Sequence, residues 1–198
     1  MIRIPRIVSI FAVALFLTLS AAAQETWQLD PPHSSAQFSV RHLGVSTVRG
    51  AFTKVSGTVQ YDAANPAKSS LQATIDAASV DTRVDARDND LRSPNYLDVK
   101  KYPTITFQSK KVEAAGPGKL KIIGDLTIHG VTKEVVLDVD GPSAPIKDPW
   151  GNQRIGYSAH TTINRSEFGV SFNQALETGG FVVSDEVKIE LNVEGIRQ

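Results

Sequence analysis

"GDLTIHGVTKEVVLDV", residues 124–139, decides the fold class. Leu126 and Ile128 share one face of an extended segment, and Val135, Leu137 and Val139 share one face of the next. Only His129-Gly130 lies between "LTI" and "VTKEVVLDV". A two-residue connection ending in Gly suits a tight hairpin, whose central residues take positive φ, and His is among the residues that tolerate it. The spacing predicts two antiparallel strands with His129 at the corner, pointing at water. The competing reading makes His129 a chemical group. It finds no support in spacing, since His33, His42 and His160 stand at no metal-ligand distance from it or from each other, and no HExxH or HxH occurs.

Working outward, the same period of two recurs along the chain. "SAQFSVRH" (35–42) sets Ala36, Phe38, Val40 and His42 against Gln37, Ser39 and Arg41. "KVSGTVQYD" (54–62) aligns Val55, Val59 and Tyr61, and "SLQATIDA" (70–77) aligns Leu71, Ala73, Ile75 and Ala77. "TITFQS" (104–109) gives Ile105 and Phe107, and "KLKIIGDLTI" (119–128) gives Leu120, Ile122, Gly124, Leu126 and Ile128. "RIGYSAHTTIN" (154–164) carries Ile155, Tyr157, Ala159, Thr161 and Ile163, with His160 facing solvent. "VSDEVKIELNVE" (183–194) alternates most cleanly, with Val187, Ile189, Leu191 and Val193 on one side. About eight strands, most apolar on one face, make an antiparallel sheet with a dry and a wet face. A bulge near Gly50 or Gly57 would flip the register of the long second strand.

A single stretch reads as helical. Thr82 followed by Asp85 forms a capping-box arrangement, "RVDARDNDLR" follows, and Ser93-Pro94 stops it. "NYLDVKKYP" adds a further turn, so the helical segment lies near residues 83–101. One helix cannot cover a sheet of that size. The dry faces must cover each other, in a sandwich or a barrel.

The first stretch, "MIRIPRIVSIFAVALFLTLSAAA", stands apart. Arg3 and Arg6 precede an apolar run from Ile7 to Leu19, and Ala21 and Ala23 fit small-x-small cleavage. Residues 1–23 read as a signal peptide cut before Gln24, and 24–198 as a single domain, exported most simply to a periplasm. The leader carries two of the 21 basic residues and none of the 21 acidic ones, so the remaining chain is slightly acidic. That gives no electrostatic case for nucleic acid or an anionic membrane surface. With no Cys, disulfides, thiol catalysis and thiolate metal sites are excluded. No second apolar run reaches membrane-spanning length.

No catalytic motif appears: no GxSxG, no P-loop, no GxGxxG. "DARDND" lacks the Gly and distal Glu of a calcium loop, so Asp85 and Asp88 read as capping and dipole partners. Arg165, in "INRSEFG", ends an apolar strand and has two readings: a rim ion pair with Glu167 or Asp185, or a cation at a cavity mouth that contacts a ligand head group.

"WQLDPPHSSAQFSVRHLGVSTVRGAF", "SVDTRVDARDNDLRSPNYLDVKKYPTITFQS", "GDLTIHGVTKEVVL", "WGNQRIGYSAHTTINRSEFGV" and "VSDEVKIELNVE" occur in this order. Together they closely resemble the YceI family of secreted, lipocalin-like polyisoprenoid-binding proteins, from about Trp27 to Glu194. The resemblance implies an all-β, eight-stranded antiparallel up-and-down lipocalin-like barrel with an apolar interior that holds an isoprenoid chain, such as a polyprenyl phosphate or a quinone tail. It carries over no catalytic residue. By that resemblance, the matched Asp90, Leu91, Arg92, His129, Gly130, Asn164, Arg165 and Gly169 look like architecture or mouth residues.

Alternation supplies the expected cavity lining: Phe38, Val40, His42, Leu71, Ala73, Ile75, Phe107, Ile122, Leu126, Leu137, Tyr157, Ala159, Val187 and Ile189, with Arg165 as a candidate head-group contact. Small inward candidates, Ala36, Ala73, Ala77, Gly124, Gly156 and Ala159, would leave a channel, and eight strands is the size at which a barrel holds one ligand. The expected function is hydrophobic sequestration of an isoprenoid lipid, with no metal and no cofactor, and with a homodimer as a further expectation. Two other readings remain: a cavity hydrolase or isomerase using His42, Asp185 or Arg165, and a stress-responsive interaction protein marked by a large exposed apolar patch.

Overall fold

The computed structural model describes residues 24–177 and 179–198. The signal-peptide reading falls on residues 1–23 and lies outside the described residues. The strands are β1 (Glu25–Leu29), β2 (Ser35–His42), β3 (Ser46–Phe52), β4 (Val55–Tyr61), β5 (Ser70–Asp76), β6 (Val80–Asp81), β7 (Thr104–Ala114), β8 (Lys119–Ile128), β9 (Val131–Asp140), β10 (Ile146–Lys147), β11 (Gln153–Asn164) and β12 (Val183–Arg197). One α-helix, α1 (Asp85–Arg92), joins them.

Every pairing is antiparallel, and several short strands are halves of longer staves. One edge of β12 pairs with β2 and then with β1. In turn β2 pairs with β3 and β1 with β4, while β3 pairs with β6 and β4 with β5. The pairs β1–β2, β3–β4 and β5–β6 are therefore single staves, each broken by a few residues. Counted this way, eight staves follow chain order, and β12 closes the ring by pairing with β11 on its other edge. The molecule is an all-β, closed, up-and-down barrel, with β10 as a short extra edge on β11. Closure removes the exposed sheet edges that an open sheet of this size would carry.

The hairpin at residues 124–139 forms as its sequence dictates. His129 (φ 51°) and Gly130 (φ 75°) both take left-handed conformations between β8 and β9, and the register runs from Ile128–Val131 to Lys119–Asp140. His129 does not simply face water. Its ring is half-buried against Tyr102, with centroids 4.4 Å apart at 57°.

The second stave does change register, at Thr53-Lys54 rather than at Gly50 or Gly57. Phe52 faces inward on β3, whereas Val55, Val59 and Tyr61 face inward on β4, so the parity switches across the break. Outside, the wet face carries cross-strand ion pairs such as Lys110–Asp125 (2.7 Å) and Lys121–Asp138 (3.5 Å), each exposed and each a small contribution.

The helix starts later than the capping box predicts. Arg83 turns the chain at φ 64°, and Val84 is the N-cap without a side-chain cap. Thr82 instead donates to buried Asp88 from its backbone N–H (2.9 Å) and from its hydroxyl (2.5 Å). The helix ends at Arg92, and residues 94–101 run as turns, through Asp98 at φ 43°, rather than as a further helical turn. Arg92 staples the helix to the barrel by donating to the carbonyls of Ala78 (2.8 Å) and Val80 (2.6 Å). The helix, the His129 turn and the segments 165–177 and 179–182 thus sit at one end of the barrel. Both ends of the described chain lie at the other end, where Arg197 pairs with Glu25 at 3.1 Å.

Candidate functional site

The inner faces of the eight staves enclose a cavity of about 280 Å³. Its wall runs from Leu29, Leu120, Val139, Tyr157 and Val193 at the termini end to Leu91, Leu97, Ile128, Phe168 and Val170 at the helix end. From Leu120 to Ile128 along β8 that is roughly 27 Å at 3.4 Å per residue, shortened along the axis by strand tilt. Trp27, 1% exposed, packs into the core at the termini end. The wall contains no His, Asp, Glu or Lys among the described residues, and its one charged member is Arg165.

Of the residues expected by alternation, the structure places Phe38, Val40, Leu71, Ala73, Ile75, Phe107, Ile122, Leu126, Leu137, Tyr157, Ala159, Val187 and Ile189 on this wall. His42 is the exception. It pairs with Val183 beyond an irregularity in β12, where the register slips between Val183 and Val187, and it stands half-buried outside the wall. Of the small residues, Ala36, Ala73 and Ala159 face the cavity. Ala77 is buried in a 3-10 turn beyond β5, and Gly156 falls outside the wall between inward Ile155 and Tyr157. Gly124 leaves no void, because the ring of Phe107 lies over it.

Strand alternation does not reach the lid, of which the family resemblance points only to Leu91, as an architecture or mouth residue. Leu91, Tyr96 and Leu97 line the cavity from the helical segment, and Phe168 and Val170 from the turn after β11. Beyond that match, their only signal was apolar side chains inside the polar stretches "DNDLRSPNYLDV" and "NRSEFGV", where no strand alternation applies.

Arg165 is not a free cation at the mouth. It is 6% exposed, and its Nε and Nη1 are engaged by chain carbonyls. Nε donates to Ser184 O (3.1 Å), and Nη1 to Val170 O (2.8 Å) and Phe172 O (3.0 Å). Nη2 lies 3.1 Å from Asp185 Oδ1, outside hydrogen-bond geometry. Of the two readings given to it, the geometry matches the ion pair with Asp185. Its wider task is to pin residues 165–184 over the barrel end, since a buried guanidinium persists only when its protons find acceptors.

Three tyrosines border the cavity. Burial pushes the Tyr157 phenol well above its ordinary range, with Tyr61 and Glu25 adding to the rise. Burial also raises Tyr61 and Tyr96, beside Asp62 and Asp90 respectively. All three are neutral across physiological pH. The Tyr157 hydroxyl is buried and makes no hydrogen bond.

One cluster has metal-like composition: the ligand atoms of Asp30, His33 and Glu194 lie within 4.8 Å of one another. Arg154 already occupies its carboxylates, with Nη1 bonded to Asp30 (2.5 Å) and to Glu194 (3.0 Å) and Nε bonded to Asp148 (2.8 Å). The cluster is an ion-pair hub outside the barrel. No helix among the described residues is long and apolar enough to cross a membrane.

The family model for the YceI-like domain matches residues 27–195. A UPF0312 protein of Vibrio cholerae is 39% identical over 166 residues, which cover 84% of this chain and 83% of the relative. The crystal structure of Burkholderia cenocepacia BcnA is 29% identical, with a TM-score of 0.74 over 84% of this chain and 98% of that one. A polyisoprenoid binding domain from Saccharophagus degradans, 19% identical, superposes with a TM-score of 0.62 over 87% of this chain and 98% of that one, a likeness of fold.

Proposed function

The chain belongs to the YceI-like domain family, and on that premise we propose that it binds an isoprenoid lipid, a polyprenyl phosphate or a quinone tail, by sequestering the chain inside the barrel. The observation that carries the reading is the wall itself, apolar from Val139 and Tyr157 at one end to Leu91 and Phe168 at the other. Such a wall selects for length and apolarity. Each five-carbon unit moved from water gains about 4 kcal/mol, at about 0.8 kcal/mol per buried CH₂, before ordering costs. A few units therefore hold the ligand without any catalytic group. The Saccharophagus domain, described as polyisoprenoid binding, shares the barrel and is consistent with the reading.

The head group stays at a barrel end. The wall's one charged residue is already committed: Arg165 Nε and Nη1 bond to Ser184, Val170 and Phe172, and Asp185 pairs with its charge. A hydrolase or isomerase in the same cavity would need an acid–base pair in the wall, and His42 and Asp185 both stand outside it. The reading is thus of a carrier or buffer rather than an enzyme, with no cofactor, working in an exported compartment after loss of residues 1–23.

The test is organic extraction of protein purified from that compartment, followed by mass spectrometry. A stoichiometric lipid with isoprene mass spacing is the expected result. Protein that yields no such lipid and takes up neither polyprenyl phosphate nor quinone in vitro would overturn the reading.

A further inference from the structure

At the helix end, loops from separate parts of the chain hold large apolar side chains in solvent. Val45 is 78% exposed and Phe181 59%, and Leu43 and Phe172 are each about two-fifths exposed. Two of the four adjoin elements of the cavity wall. Phe172 packs edge-on against Tyr96 at 5.6 Å, and Tyr96 lines the cavity. The Leu43 N–H donates to Val182 O (2.8 Å), next to Val183, which also lines the cavity. Phe172 therefore carries apolar surface from Tyr96 on the wall out to water, and the Leu43 turn lies beside the strand end that bears Val183.

The loops that present these side chains are held firmly. Leu43 takes φ 53° and Gly44 φ 70°, the paired left-handed conformation of a tight hairpin turn that ordinarily favours Asn or Gly at the first position. Leu there carries backbone strain that core packing does not repay, since its side chain stays partly in water. Arg41 braces the turn by donating to Gly44 O (2.5 Å) and to Thr47 Oγ1 (3.0 Å). Asn173 clamps the other loop, with Nδ2 donating to Val183 O (2.7 Å) and Oδ1 accepting from Val183 N–H (3.1 Å). Charges of both signs stand on the elements at this end, Arg41, Arg83 and Arg87 against Asp85, Glu177 and Glu186, and set up no field of one sign.

From this continuity we propose that the helix end docks on a phospholipid bilayer by shallow insertion of Leu43, Val45, Phe172 and Phe181, so that an isoprenoid chain passes between bilayer and barrel without crossing water. The inference rests on the isoprenoid reading, since only a membrane-borne ligand needs such a contact. Mixed charge makes the docking a matter of apolar insertion, insensitive to salt and to anionic lipid.

The test is co-sedimentation with phosphatidylcholine vesicles at about 50 mM and about 500 mM salt, a range across which screening of exposed charges becomes nearly complete. Wild-type protein is compared with a Val45→Asp/Phe181→Asp variant and with an Ile146→Asp/Trp150→Asp control, whose exposed apolar residues lie at the opposite end. Wild type and control are expected to bind vesicles equally at both salts, with the helix-end variant at least about tenfold weaker. Polyprenol uptake from detergent, measured in parallel, is expected to be the same in all three. Failure of wild type to bind, loss of binding at high salt, or equal loss in the control would overturn the proposal. Loss of polyprenol uptake in every protein would instead overturn the isoprenoid reading, whatever the vesicles show.

Discussion

Gly124 on β8 lies directly under the ring of Phe107 on β7. A Cβ built on Gly124 would stand 2.5 Å from Phe107 Cζ and 2.5 Å from the Gln108 carbonyl oxygen. The missing side chain gives its room to a neighbour, and the neighbour becomes wall. Where glycine or alanine has no such neighbour, the room is left to the cavity, as at Ala73 and Ala159. The cavity's shape thus depends on which small residues are covered, a distinction that composition does not make.

Gly124→Ala is expected to push the Phe107 ring into the cavity and to strain the β7–β8 ladder at Gln108, whose carbonyl oxygen the new Cβ would meet at 2.5 Å. Overpacking of this kind costs about 1–3 kcal/mol. Chemical denaturation should register that loss together with weaker polyprenol uptake. A variant as stable as wild type would show that Phe107 relaxes elsewhere.

Ala73→Phe tests the cavity directly. Ala73 lies on the wall midway along β5, and an added ring has free space ahead of it rather than a packed core. Polyprenol uptake is expected to fall at least about tenfold, with a denaturation midpoint within about 1 kcal/mol of wild type, since the substitution fills a void. Uptake that matches wild type would mean that the chain does not reach this level of the barrel.

The barrel itself is legible in the sequence because a period of two survives wherever a strand has one dry and one wet face. From Leu120 to Ile128 the alternation alone assigns the wall. It loses track where the backbone departs from an even ladder. His42 leaves the wall after the slip between Val183 and Val187, and the second stave switches parity at Thr53-Lys54. The lid is harder still, because Leu91, Tyr96 and Phe168 reach the cavity through turns whose φ values no local pattern dictates. Arg165 could be placed at a barrel end by its position, but its partners are carbonyls of residues up to nineteen positions away, which only the folded loop brings together.

Arg165→Met separates a structural staple from a ligand contact. The substitution strips donors from the buried carbonyl of Val170 and from the partly buried carbonyls of Phe172 and Ser184, and the buried acceptor left unpaired costs about 1–3 kcal/mol. Thermal unfolding should fall by roughly 5–10 °C for a domain of this size. The ratio of affinities for a polyprenyl phosphate and the matching polyprenol should stay unchanged, since Asp185 already pairs with the guanidinium charge. A ratio that drops several-fold would return Arg165 to the head group.

Acid stability should depend on the hub at the termini end. Arg154 holds the Asp148 carboxyl far below the ordinary carboxylate range, helped by Asn152 and by the Trp150 backbone N–H against the cost of burial. Arg154, and then His33, lowers Asp30 as well. A carboxylate whose pKa falls on folding adds stability above its unfolded value, about 3.9, and loses it as pH drops through the folded value. The hub is therefore at full strength near neutrality and weakens only below about pH 4. Asp148→Asn removes the charge while keeping the shape and part of the loop's hydrogen bonding. Its unfolding midpoint should lie below wild type at pH 7, and the gap should narrow as pH falls below about 4, because wild type then loses what the variant never had. A gap that stays constant from pH 7 into that acid range would show that Asp148 acts through loop geometry alone and that its charge on Arg154 adds nothing.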